Sequence, residues 1–104
     1  MKERQKGGLG PRRRGDAFEV AVCADLERVG WWCARLRQGG GQLVDVVAVG
    51  GPMSSWAVWH IQCKARTPYM RPAERERFVM DAQNCGAVPV IAWRDGEIQY
   101  KVLT

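Results

Sequence analysis

Residues 43–49 read Leu43-Val44-Asp45-Val46-Val47-Ala48-Val49, and residues 56–64 read Trp56-Ala57-Val58-Trp59-His60-Ile61-Gln62-Cys63-Lys64. Both runs are rich in β-branched and aromatic residues, the composition of strands. Gly50-Gly51-Pro52 closes the first, Met53-Ser54-Ser55 bridges to the second, and the pair is expected to form a hairpin. Asp45 stands out in this apolar frame, because a carboxylate amid buried strand residues needs a cation, a hydrogen-bond donor or solvent. In the second run, alternation puts Gln62 and Lys64 on one face and Ile61 and Cys63 on the other. Paired strands could bring Asp45 to the same cluster.

Outward from this pair, Phe18, Val22, Leu26 and Val29 form the apolar stripe of an amphipathic helix from Asp16 to about Val29, ended by Gly30. Trp31 to Leu36 is a β-prone stretch that runs into a loop at Gly39-Gly40-Gly41. Pro72 is placed to open a second helix over Ala73 to Cys85, and Gly86 to stop it. Strands follow at Val88 to Trp93 and Glu97 to Leu103, joined at Arg94-Asp95-Gly96. The expected order is α-β-β-β-α-β-β, an α/β class with a central sheet.

The 104 residues suit one domain, and 46% hydrophobic content can build one core. The net charge of +5 is uneven: residues 1–14 hold Lys2, Arg4, Lys6, Arg12, Arg13 and Arg14 against Glu3, while the rest balances ten basic and ten acidic side chains. We therefore separate a basic, flexible arm (1–13) from a single domain (14–104). A polyanion is the natural partner of such an arm. The arm has almost no apolar face, which disfavours a membrane surface. No run of about 18 apolar residues and no signal-like apolar stretch occurs, so a cytoplasmic protein is expected, in the host cytoplasm if a phage encodes it. Cys23, Cys33, Cys63 and Cys85 lack a C-x-x-C pair and read as ordinary buried thiols, with a zinc site or disulfide as the alternatives. The five tryptophans read as core or dimer packing, or as stacking platforms for bases.

A carboxylate, an amide oxygen and an ammonium in one cluster suit phosphodiester hydrolysis assisted by Mg²⁺, with Lys64 stabilising developing charge or helping to orient the water. One Asp and one Gln make a weak site, so Glu19, beside the apolar stripe of the first helix, is the candidate second acid. The competing reading is structural. It pairs Asp45 with Lys64 in a salt bridge and leaves Glu19 on the solvated side of its helix.

The segment Arg14-Gly15-Asp16-Ala17-Phe18-Glu19 resembles the opening of the first helix in the archaeal-type (Hjc-like) Holliday junction resolvases of the PD-(D/E)xK nuclease superfamily. The resemblance continues through Gly30-Trp31, Arg37, Val44 to Ala48, Gln62-Cys63-Lys64, and Phe78 with Gly86 to Ala92, covering residues 12 to 103 in the family's order. It implies a restriction-endonuclease-like core with a mixed sheet flanked by helices. It also implies a Mg²⁺-dependent homodimer, with Mn²⁺ as a substitute, that cuts four-way DNA junctions in recombination and repair. Glu19, Asp45 and Gln62 would be metal ligands together with the main-chain carbonyl of Cys63, and Lys64 the catalytic lysine. Arg12, Arg13, Arg14, Arg35, Arg37, Gln38 and Arg66 would contact DNA. Two positions depart from the family: glutamine stands at 62 where glutamate is common, and Gly39-Gly40-Gly41 holds none of the serine many resolvases place before the aspartate. The alternatives are a nuclease of another subclass acting on other branched DNA, and a non-catalytic DNA-binding module.

Overall fold

The computed structural model describes residues 11–36, 43–51 and 56–104. They form helix α1 (Pro11–Glu27), strands β1 (Trp32–Arg35), β2 (Val46–Gly50) and β3 (Ala57–Cys63), helix α2 (Pro72–Asn84), and strands β4 (Val88–Asp95) and β5 (Glu97–Val102). This is the order expected from the sequence. The strands lie side by side as β1-β2-β3-β4-β5. All neighbours are antiparallel except β3 and β4, which are parallel. The exception follows from connectivity, since α2 lies between β3 and β4 and supplies the crossover that a parallel pair requires.

Period-two alternation sorts the strand residues between two layers. Val46, Ala48, Ile61, Val90 and Ala92 pack with Val22 and Leu26 of α1, and Phe18 joins them. Val47, Ile91 and Trp93 belong to the other layer, with Phe78 and Val79 of α2, Met70 and Leu103. Trp31 and Trp59 meet on the α1 side with ring centroids 4.5 Å apart, and Tyr100 stands 6.0 Å from Trp59. The Tyr100 hydroxyl donates to Asp25 Oδ2 at 2.6 Å, tying β5 to α1. Trp31, Trp59 and Trp93 thus pack as expected, whereas Trp32 and Trp56 are exposed.

Helix α1 starts at Pro11, five residues before the start that its apolar stripe marks. The stripe records only the buried part of a helix, and proline at the first position is compatible with helical φ. Residues 11–13, which the sequence assigns to the arm, are therefore helical. At the other end, Gly50 has φ 135°, and a Cβ there would lie 3.4 Å from the Gly30 carbonyl oxygen. The exit of α1 and the end of β2 meet at this close approach. Helix α2 stops at Gly86 (φ 72°), where Ala87 N–H returns to the Ala82 carbonyl at 2.8 Å.

Candidate active site

Val46 pairs with Ile61, so a continued register would set Asp45 opposite Gln62. Instead, the Asp45 N–H donates to the Ile61 carbonyl at 2.8 Å, and its Oδ2 accepts the Cys63 N–H, also at 2.8 Å. A one-residue irregularity of this kind re-aims a side chain at the end of a ladder. On the other edge, the Leu36 N–H donates to the Asp45 carbonyl at 2.9 Å, so neighbouring strands hold the residue from both sides. Its side chain is buried.

Glu19 comes to the same place from α1, and only 6% of it is exposed. Burial raises its carboxyl above the ordinary range, the Asp45 charge raises it further, and Arg35 opposes both. Glu19 is thus not on a solvated face, and Lys64 has Glu74 as an acid partner. Arg35, expected at a phosphate, has its Nε 3.2 Å from Glu19 Oε1 and its terminal nitrogen 3.0 Å from Asp16 Oδ1.

Cys63 and Ile61 face α1 as alternation requires, so Gln62 faces the other side of β3. Gln62 Oε1 is buried there and has no hydrogen-bond partner among the described residues. Lys64 lies just past β3, its N–H donating to the Ala92 carbonyl at 2.8 Å. Its Nζ is 3.7 Å from Glu74 Oε1 in the first turn of α2. A cleft of about 530 Å³ is lined by Gly15, Phe18, Glu19, Cys63, Lys64 and Arg66, with Ala65. Glu19 and Lys64 share this cleft, and Asp45 bonds to the backbone of a residue in its wall. Gln62 does not line it.

Of the remaining DNA-contact candidates, Arg66 is exposed at the cleft. Arg12, Arg13 and Arg14 lie in the first turns of α1. Arg37 and Gln38 fall outside the described residues.

The donor set suits a hard divalent cation. Two carboxylates are buried here although burial and their mutual repulsion disfavour their charges, whereas the unpartnered amide oxygen of Gln62 lies on the other face of β3 and does not join them. Among the described residues, no group of three or more His, Cys, Asp or Glu side chains is placed to hold a metal. Two acids completed by main-chain oxygens and water match the way Mg²⁺ is commonly held. The Cys63 thiol is raised by burial and then by Asp45 and Glu19, Cys33 is pushed up to about 12 chiefly by burial, and all four cysteines are free. Cys85 departs from the expectation of burial and is exposed.

Asp16 and Glu74 were not singled out in the sequence as site residues. Asp16 sits one helical turn before Glu19, a spacing that marks a shared helix face but names no partner. Nothing local to Glu74 announces its approach to Lys64.

The chain matches no protein-family model and no curated protein. Among solved structures it is similar to Hjc, a Holliday junction resolvase from the archaeal hyperthermophile Archaeoglobus fulgidus, with a TM-score of 0.68 and 23% identity over 86% of this chain and 75% of that one. No helix among the described residues is long and apolar enough to cross a membrane. The chain therefore has the fold of that resolvase, the mixed-sheet α/β core that its own strand pattern implies.

Proposed function

We propose that this chain is a Mg²⁺-dependent endonuclease that hydrolyses phosphodiester bonds in branched DNA, with four-way junctions as its foremost substrate. The observation that carries the reading is the convergence of Glu19, Asp45 and the Cys63 backbone beside Lys64, at the end of a sheet shaped like that of a junction resolvase. Glu19, Asp45 and the Cys63 carbonyl would hold Mg²⁺, or Mn²⁺ in its place; Gln62, expected from the sequence as a further ligand, lies on the face of β3 turned away from Glu19 and is left out of the set. When bound, the ion supplies polarisation of the phosphate and a water of lowered pKa. Lys64 then faces the charge that develops on the phosphate oxygens. Arg66, the Arg12 to Arg14 cluster, Arg37 and Gln38 would hold the DNA backbone, which fixes position without reading sequence.

Two strands of a junction are cut together only if two sites act, so a homodimer working in the cytoplasm completes the proposal. Cleavage of a synthetic four-way junction and of a linear duplex of matching arms, with Mg²⁺ and with chelator, tests it directly. Cutting of the junction in Mg²⁺ alone is the expected result. Equal attack on flapped or forked DNA would move the chain to another nuclease subclass. Binding without cutting in either metal would make it a DNA-binding module, a reading favoured by the neutral glutamine at 62.

That glutamine yields a second prediction. Its side chain lies on the face of β3 turned away from Glu19, so a carboxylate there adds its charge outside the ligand set. Gln62→Glu is therefore expected to leave the Mg²⁺ concentration for half-maximal cutting unshifted. A fall of roughly tenfold, equivalent to about 1.4 kcal/mol, would return position 62 to the ligand set.

A further inference from the structure

Arg35 ends β1 with its guanidinium spread across two acids of α1. Nε lies 3.2 Å from Glu19 Oε1, and a terminal nitrogen lies 3.0 Å from Asp16 Oδ1. The acids are three residues apart and so share a helix face. Exposure falls steeply along the bridge: the side chains of Asp16 and Arg35 are 45% and 37% accessible, that of Glu19 only 9%. The bridge thus runs from an open anchor to a buried carboxylate, and it joins the helix to the edge strand.

From this geometry we infer that Arg35 is a positioning residue: it fixes the rotamer of the Glu19 carboxylate toward a divalent cation, and Asp16 in turn fixes Arg35. The inference rests on the reading of Glu19 as a metal ligand. Arg35 engages Oε1 of Glu19, which leaves Oε2 as the oxygen available to a cation. A planar guanidinium suits the task because its rigid fork can engage two carboxylates at once, which an ammonium on a flexible stem does poorly. The opposing effect is repulsion between Arg35 and the cation. Arg35 is more than one-third accessible, and solvent screens charges at such sites strongly, whereas the hold on Glu19 acts on a buried group. Positioning therefore outweighs repulsion.

Residues that orient metal ligands typically change metal affinity by about 10- to 100-fold when removed. The test is Mn²⁺ binding to the full chain, followed by calorimetry and by the Mn²⁺ electron paramagnetic resonance signal, without DNA and without turnover. Arg35→Ala is expected to weaken binding about tenfold or more. Arg35→Lys should recover part of the loss, and Asp16→Ala should cost several-fold although Asp16 never meets the ion. The Asp16 change is made at a half-exposed residue, so it reports even if Arg35→Ala unfolds. Unchanged or tighter binding in Asp16→Ala, or in a folded Arg35→Ala, would overturn the inference. Asp45→Asn separates the two ways of failing. If wild type binds Mn²⁺ and Asp45→Asn does not, while the Arg35 and Asp16 variants match wild type, the metal site stands and the positioning role falls. If wild type binds no Mn²⁺, both fall together.

Discussion

Asp45→Asn is expected to abolish junction cutting, by at least about 1,000-fold, while the protein stays folded and still binds four-way DNA. The magnitude follows from the several kcal/mol that a bound ion contributes to a phosphoryl transition state, at 1.4 kcal/mol per tenfold in rate. Asparagine is the informative replacement because Asp45 has two tasks. Its Oδ2 accepts the Cys63 N–H at 2.8 Å and so holds the irregular end of the β2–β3 ladder. An asparagine oxygen can accept the same bond, and its neutral amide is a far poorer partner for Mg²⁺. Asp45→Ala removes both functions, leaves a buried N–H without its acceptor, and should cost about 1–3 kcal/mol of stability as well. Thermal melts beside gel-based cleavage and binding assays separate the effects. Near-wild-type cutting by Asp45→Asn would end the nuclease reading.

This dual role explains why the chain shows its fold in sequence more plainly than its site. The β-branched runs at 43–49 and 56–63, the turn residues between them, Pro72 and Gly86 each carry local information, and together they give the order of elements. Asp45 was conspicuous for the same reason, as a charge in an apolar frame. Its aim was not legible, because it depends on a one-residue departure from the register that Val46 and Ile61 establish. Simple alternation groups Asp45 with Gln62 and Lys64. The structure brings it to Glu19 and the Cys63 backbone and leaves Gln62 on the other side of β3.

The same limit applies to Arg35. The family resemblance makes Arg35 a phosphate contact, and only α1, laid across the sheet, brings Asp16 and Glu19 to it. Glu19 lies between these cases. Its place beside the apolar stripe made it the candidate second acid but left open whether it faced solvent, and the structure buries it. The partners of these three side chains are set by tertiary placement across 16 to 19 residues of chain, which no local pattern encodes.

Lys64→Ala is expected to reduce cutting by about 100- to 1,000-fold, the range for loss of one group that meets developing charge in an enclosed site. Its profile should differ from that of Asp45→Asn in one respect: metal binding is retained. Lys64 contributes no oxygen to the ion, lies beyond the last residue of β3, and pairs with Glu74 at 3.7 Å across a gap that both side chains only partly bury. Its backbone bond to Ala92 survives the substitution, and the side chain is about one-quarter exposed, so the fold should tolerate the change. Mn²⁺ affinity and four-way-junction affinity near wild type, with the cleavage rate lost under saturating metal and DNA, is the signature of a residue that acts on the transition state instead of on assembly. Loss of Mn²⁺ binding in Lys64→Ala would mean that the lysine orders the ligands. A cleavage rate within a few-fold of wild type would mean that it has no part in the chemistry, and the general base would have to be sought among the water molecules and acids of the cleft.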